Sequence, residues 1–236
     1  PPAGFGVVEI TVAPENNHSD DSQHCIPIGQ LTRDGGADSP GRGHITWVCS
    51  AQVQVDPEEP DWMGASAHTN NTGELSALMV AIRHALQRTA RTGAEVIHSD
   101  SLYSINMTTG KWRPRVKRNM DMIAQLRVMW RALVRRRPGE VRLAHVRSHV
   151  LTPGNEIADW LADRGAGGAR TSVQHARAWA TRLVRTAGGM RDASTPQCGD
   201  THCGYTGERP ARGQLPRGGS RGERERTPAM PPRDDG

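Results

Sequence analysis

Apolar positions follow two rhythms along the chain, and nearly all of them lie before residue 165. In 72–91, Leu75, Leu78, Met79, Ile82, Ala85 and Leu86 recur at three- and four-residue steps, the spacing of one helical face, and Thr92-Gly93 ends the run. Residues 119–136 repeat the pattern through Met122, Ile123, Leu126, Met129, Trp130 and Leu133. A helix is predicted from Thr152 to near Gly165 with Ile157, Trp160 and Leu161 apolar, and a shorter one over 101–108. The other rhythm is strand-like. HITWVCSAQVQV (44–55) is the strongest strand, rich in Thr and Val. EVIHS (95–99) and VRLAHV (141–146) are short apolar strands, and DWMGASAH (61–68) fits the return strand of a meander. IPIGQLT (26–32) is a poor strand because Pro27 and Gly29 interrupt it. Phe5 to Val12 also has a strand pattern, with no partner nearby in sequence.

Helices alternating with strands after residue 70 predict an α/β fold whose sheet has a parallel part. Residues 1–24 are expected to be an N-terminal extension, 25–166 the domain, and 167–236 an Arg/Gly/Pro-rich tail, mostly disordered. Within that tail, 172–185 has apolar spacing for one or two turns of helix. The remainder buries too little to offset its ordering entropy.

Composition narrows the class. Of 236 residues, 35% are apolar and 4% aromatic, so a single core in the middle of the chain is expected. The formal charge of +5 and a pI near 9.5 permit a polyanionic partner. No apolar run is long enough for a membrane span. Cys25, Cys49, Cys198 and Cys203 are too scattered for a disulfide framework, and the chain reads as soluble and intracellular, nuclear or cytoplasmic. CGDTHC (198–203) lacks a fourth ligand at workable spacing, so no zinc site is expected.

The chemistry lies at the element ends. HTNNTGELSA (68–77) places Glu74 where a helix begins, and IHSDSLYSI places Asp100 where a strand ends. SHVLTPGNEIADWLA carries His149 and Asp159, and RDGGADSPG carries Asp34. Taken singly these are caps and loop residues: Thr69 to Thr72 suit an N-cap, and Glu74 suits a capping box. Taken together, four carboxylates without cysteine partners suit hard divalent ions.

TNNTGEL, SDS and SHVLTPGNEIAD resemble the corresponding blocks of the ribonuclease H family over roughly residues 28–165. The ten-residue spacing from His149 to Asp159 across the PGNE turn is the most specific part. The resemblance implies a ribonuclease H-like fold with a five-stranded mixed sheet flanked by helices. It implies two Mg²⁺ ions, replaceable by Mn²⁺, held by Asp34, Glu74, Asp100 and Asp159, with His149 as a mobile catalytic histidine. It also implies that Asn70 and Asn71 meet the bases or 2′-hydroxyls of an RNA/DNA hybrid and Thr69 a phosphate. One departure stands out. The family's first strand ends in Thr-Asp-Gly, whereas this chain reads Leu31-Thr32-Arg33-Asp34-Gly35, with an extra Arg. A shift of one residue reverses side-chain direction, which leaves Asp38 as the alternative to Asp34.

Between the middle helices, Lys111, Arg113, Arg115, Lys117 and Arg118 surround Trp112, and Arg127, Arg131, Arg135, Arg136 and Arg137 follow. Charge runs are ordinarily solvated faces. An aromatic inside the run suits a sugar or base stacked beside neutralised phosphates. The expected function is metal-dependent endonucleolytic hydrolysis of the RNA strand of a hybrid. The rivals are a module that binds hybrids without cutting and a DNA-directed nuclease of the same fold. The start at Pro1 fits a domain cut from a retroelement polyprotein, downstream of a reverse transcriptase; a free-standing enzyme fits equally.

Overall fold

Strand β1 (Gly4–Val12) pairs antiparallel with β3 (Arg42–Gln52), and the two-residue β2 (Ile26–Pro27) lies on the other edge of β3. The computed structural model describes residues 1–12, 25–30, 41–88, 93–114 and 118–187, all within the unit Pro1–Ala193. A second ladder joins β4 (Glu95–Ser99) to β5 (Val141–His145) in parallel, with Ile97 opposite Leu143. Among the described residues, five helices complete the mixed α/β architecture: α1 (Asn70–Gln87), α2 (Leu102–Thr109), α3 (Met120–Arg136), α4 (Pro153–Ala166) and α5 (Val173–Ala187).

The period-two alternation of β1 builds two cores. Phe5 and Val7 turn to one face, against Leu75, Leu78, Met79 and Ile82 of α1 and Met122, Ile123 and Leu126 of α3. Val8 and Ile10 turn to the other, against Ile157 and Leu161 of α4 and Ala176 and Ala180 of α5. A bulge adjusts β3 to this scheme. Glu9 is paired with Trp47 but Ile10 with Ile45, so the extra Thr46 carries Ile45 to the second face while Trp47 stays on the first. Helix α4 lies almost on the backbone of β1. A Cβ at Gly4 would stand 2.1 Å from the Ala162 carbonyl oxygen, and one at Gly6 equally close to that of Ala158.

Several expectations are corrected. The strand near the N-terminus is not a separate extension without a partner; β3 pairs with it along its whole length. Residues 61–68 are not a strand: Gly64 has φ +90, and the Trp62 indole N–H donates to the Ala65 carbonyl, closing a turn. The tail begins with a 15-residue helix rather than one or two turns. A narrow face of Ala176 and Ala180 is enough to seat α5, helped by Trp179 stacked on Trp160 at 5.2 Å and by Arg177 donating to the Ile45 carbonyl at 2.8 Å. Among the described residues the strands form ladders of three and two, not one five-stranded sheet. Helix α1 packs on both β1 and β4, and Arg88 just beyond it pairs with Glu9 of β1 and, at 3.0 Å, with Glu95 of β4. The ladders are thus tied by a helix and an ion bridge. The stretches holding Asp34, Asp38, Arg115, Lys117 and Cys198 to Cys203 lie outside the described residues.

Candidate active site

Helix α1 begins with a reciprocal cap. Thr69 Oγ1 accepts from the Thr72 N–H at 3.2 Å, and Thr72 Oγ1 accepts from the Thr69 N–H at 2.9 Å. That arrangement satisfies orphan donors of the first turn without an acid. Glu74 therefore lies beyond the capping box, and no acidic residue occupies the first turn. Its carboxylate instead accepts from Ser101 Oγ, the hydroxyl that also caps α2 by accepting from the Ser104 N–H. Burial raises the Glu74 pKa; the Ser101 hydrogen bond opposes that rise and the Asp100 charge adds to it.

Asp100 follows the last residue of β4, and its carbonyl accepts from His145 Nε2 at the end of β5 at 3.2 Å. Its charge acts on Glu74 on one side and on Asp159 of α4 on the other. Asp159 is pushed up to about 6, first by burial and then by Asp100, with His149 opposing the rise. Asn155 Nδ2 donates to Asp159 Oδ2 at 3.4 Å. Three of the four expected acids, delivered by α1, β4 and α4, thus share one electrostatic neighbourhood. A like charge that burial already disfavours is what a bound cation would relieve.

His149 is 81% exposed, with Nδ1 3.7 Å from Asp159 Oδ2. The ligand atoms of His149, Glu156 and Asp159 lie within 4.8 Å of one another. Glu156 was missed in the sequence because it sits inside the PGNE turn and looks like an ordinary first-turn acid. Its signal was its place three residues before Asp159, on the same helical face.

The nucleic-acid candidates divide. Asn70 and Asn71 are exposed in the first turn of α1, while the Thr69 hydroxyl is engaged in the cap. Lys111, Arg113 and Arg118 are exposed, and Trp112 is 47% exposed just past Gly110, which ends α2 with φ +81. Some of the basic run is internal. Arg127 donates to the carbonyls of Met107 at 2.8 Å and Trp112 at 2.7 Å, fixing the backbone that carries the tryptophan. Arg136 donates to the Leu86 carbonyl at 2.9 Å, and the buried Arg137 pairs with Glu95 and Glu140. Arg131 and Arg135 stay on the outer face of α3.

A family model described as RNase H matches residues 32–167. The chain is 38% identical over 114 residues to a protein named Ribonuclease H from Bordetella bronchiseptica, covering 45% of this chain and 70% of that one. It is 33% identical over 139 residues to one of the same name from Acidiphilium cryptum, covering 56% and 82%. A third, from Schizosaccharomyces pombe, is 33% identical over 110 residues, covering 44% of this chain and 39% of that protein.

Proposed function

The chain belongs to the ribonuclease H family, and on that premise we propose that it hydrolyses the RNA strand of RNA/DNA hybrids at the edge where Glu74, Asp100 and Asp159 converge. The observation that carries this reading is the convergence itself. Asp100 acts on both Glu74 and Asp159, which come from two further elements, and both of these have raised pKa values. Structural caps have no reason to gather.

An all-oxygen donor set suits Mg²⁺ or Mn²⁺ rather than a softer metal. Glu74, Asp100 and Asp159 would hold two such ions, with Asp34 proposed as the fourth ligand. When bound, the ions supply an activated water and stabilise the leaving oxygen of the phosphodiester. The chain's own groups do the remaining work. Asn70 and Asn71, side by side at the N-terminus of α1, are proposed to read the 2′-hydroxyl side of the hybrid, the feature that separates RNA from DNA. Thr69 is proposed to meet a phosphate from the same turn. Lys111, Trp112, Arg113, Arg115, Lys117 and Arg118 are proposed to grip the DNA strand through phosphate neutralisation and stacking. His149, exposed and 3.7 Å from Asp159, is proposed to handle a proton or help release product.

The test uses three end-labelled substrates of one sequence: hybrid, duplex RNA and duplex DNA, each with Mg²⁺. Cutting confined to the RNA strand of the hybrid is expected. Preferential cutting of duplex DNA would move the chain to a DNA-directed nuclease. Tight hybrid binding without cutting in either Mg²⁺ or Mn²⁺ would make it a binding module.

A further inference from the structure

The segment between β5 and α4 contains two non-glycine residues in the left-handed region, His149 at φ 55 and Leu151 at φ 58. L-residues avoid that region because Cβ crowds the following carbonyl, and leucine has no polar side chain to compensate locally. Such a conformation persists only where the surroundings impose it. Packing does not impose it at Leu151, whose side chain is 40% exposed. A hydrogen bond is in place to do so. The Leu151 backbone N–H donates to Glu156 Oε1 at 3.1 Å. Thr152, the N-cap of α4, makes no side-chain cap bond. The acid one turn into the helix therefore reaches back past the N-cap and holds the loop that precedes it. The same loop presents His149 to Asp159.

We propose that Glu156 is a positioning residue: it clasps the left-handed 149–151 loop through Leu151 and so fixes His149 beside Asp159. The proposal rests on the nuclease reading for its functional consequence, but the clasp has a readout of its own. Amide hydrogen exchange at Leu151 is measured in the full chain for the wild type, Glu156→Ala and Glu156→Gln, with the Leu161 amide of α4 as the folding control. Glu156→Ala should speed Leu151 exchange about tenfold, the worth of one charge-assisted hydrogen bond, and leave Leu161 unchanged. Glu156→Gln keeps a carbonyl acceptor and should restore most of the protection.

In hybrid cleavage, Glu156→Ala should lower kcat by about the same factor with KM little changed, and Glu156→Gln should recover it. In a His149→Ala background, Glu156→Ala should cost nothing further, because the two act as one unit. Unchanged Leu151 exchange in Glu156→Ala would overturn the clasp. So would full additivity with His149→Ala, or a Gln variant as inactive as Ala while Leu151 stays protected, which is how a metal ligand would behave. Loss of Leu151 protection in a chain that never cuts a hybrid would support the clasp and overturn the nuclease reading.

Discussion

Two helix N-termini deliver acids to the same edge by opposite means. At α1 the first turn is closed by the reciprocal Thr69–Thr72 bonds, and Glu74 follows, half-buried and hydrogen-bonded to Ser101. At α4 the N-cap Thr152 makes no cap bond, the preceding loop runs through left-handed residues, and the exposed His149 stands beside Asp159. The first end is built before any ligand arrives. The second is held by one side-chain acceptor, Glu156, on the Leu151 N–H, and it carries the exposed His149. A rigid side suits fixed ligands, and a loosely held side suits a group that must act and then withdraw.

Asp100 lies between the two ends, so its loss should damage both. Asp100→Asn is expected to lower hybrid cleavage by about 10²–10³-fold, the usual cost of losing a preorganised electrostatic contact, with hybrid binding retained. Single-turnover kinetics beside a filter-binding assay will separate the two effects. Next in size is His149→Ala, on the loose side. It should reduce kcat by about 10²-fold, with the loss concentrated on one limb of the pH–rate profile. An unchanged profile would leave the histidine outside the proton chemistry.

The third expectation concerns pH. The folded pKa of Asp159 is raised to about 6, so the folded state favours its neutral form. The associated stability is present below the ordinary carboxylate pKa of about 4 and is lost as pH rises through the folded value. In metal-free protein, Asp159→Asn should therefore raise the melting temperature at pH 7 and leave it nearly unchanged at pH 4. Metal binding needs the ionised carboxylate, so cleavage should fall at acid pH, and raising the Mg²⁺ concentration should move that fall to lower pH. The raised Glu74 pKa works in the same direction.

The smallest effect contrasts the caps directly. Thr69→Ala should cost about 1 kcal/mol, roughly 2–4 °C in melting temperature for a domain of this size. Thr152→Ala should change stability by less than about 0.5 kcal/mol, since no cap bond is lost. Thermal unfolding of the two variants side by side decides it.

What the sequence made legible follows the range of the forces involved. Helices α1, α3 and α4 and strands β4 and β5 were readable from local periodicity; Glu74 and Asp159 fall on α1 and α4, and Asp100 directly follows β4. The pairing of β1 with β3 was not readable, because the partners run from Val12 with Gly43 to Gly4 with Gln52, far apart in the chain, and only tertiary packing selects them. Helix α5 was underestimated because alanines at 176 and 180 give a weak hydrophobic signal yet allow close approach. The apparent strand at 61–68 lost to a glycine at φ +90 and an indole hydrogen bond. Arg127 and Arg137 looked like phosphate contacts, but hydrogen bonds and ion pairs within the fold commit them to carbonyls and acids. Glu156 was visible only as part of a turn, since its partner is a backbone N–H whose conformation no residue pattern reveals.

The most direct test of the central claim is calorimetric titration of Mg²⁺ into the chain bound to an uncleavable hybrid, repeated with Asp100→Asn. Metal binding that the substitution weakens by about tenfold or more, with hybrid affinity unchanged, is the predicted result. Equal metal binding by both proteins would contradict it, because Asp100 would then not belong to the proposed metal centre.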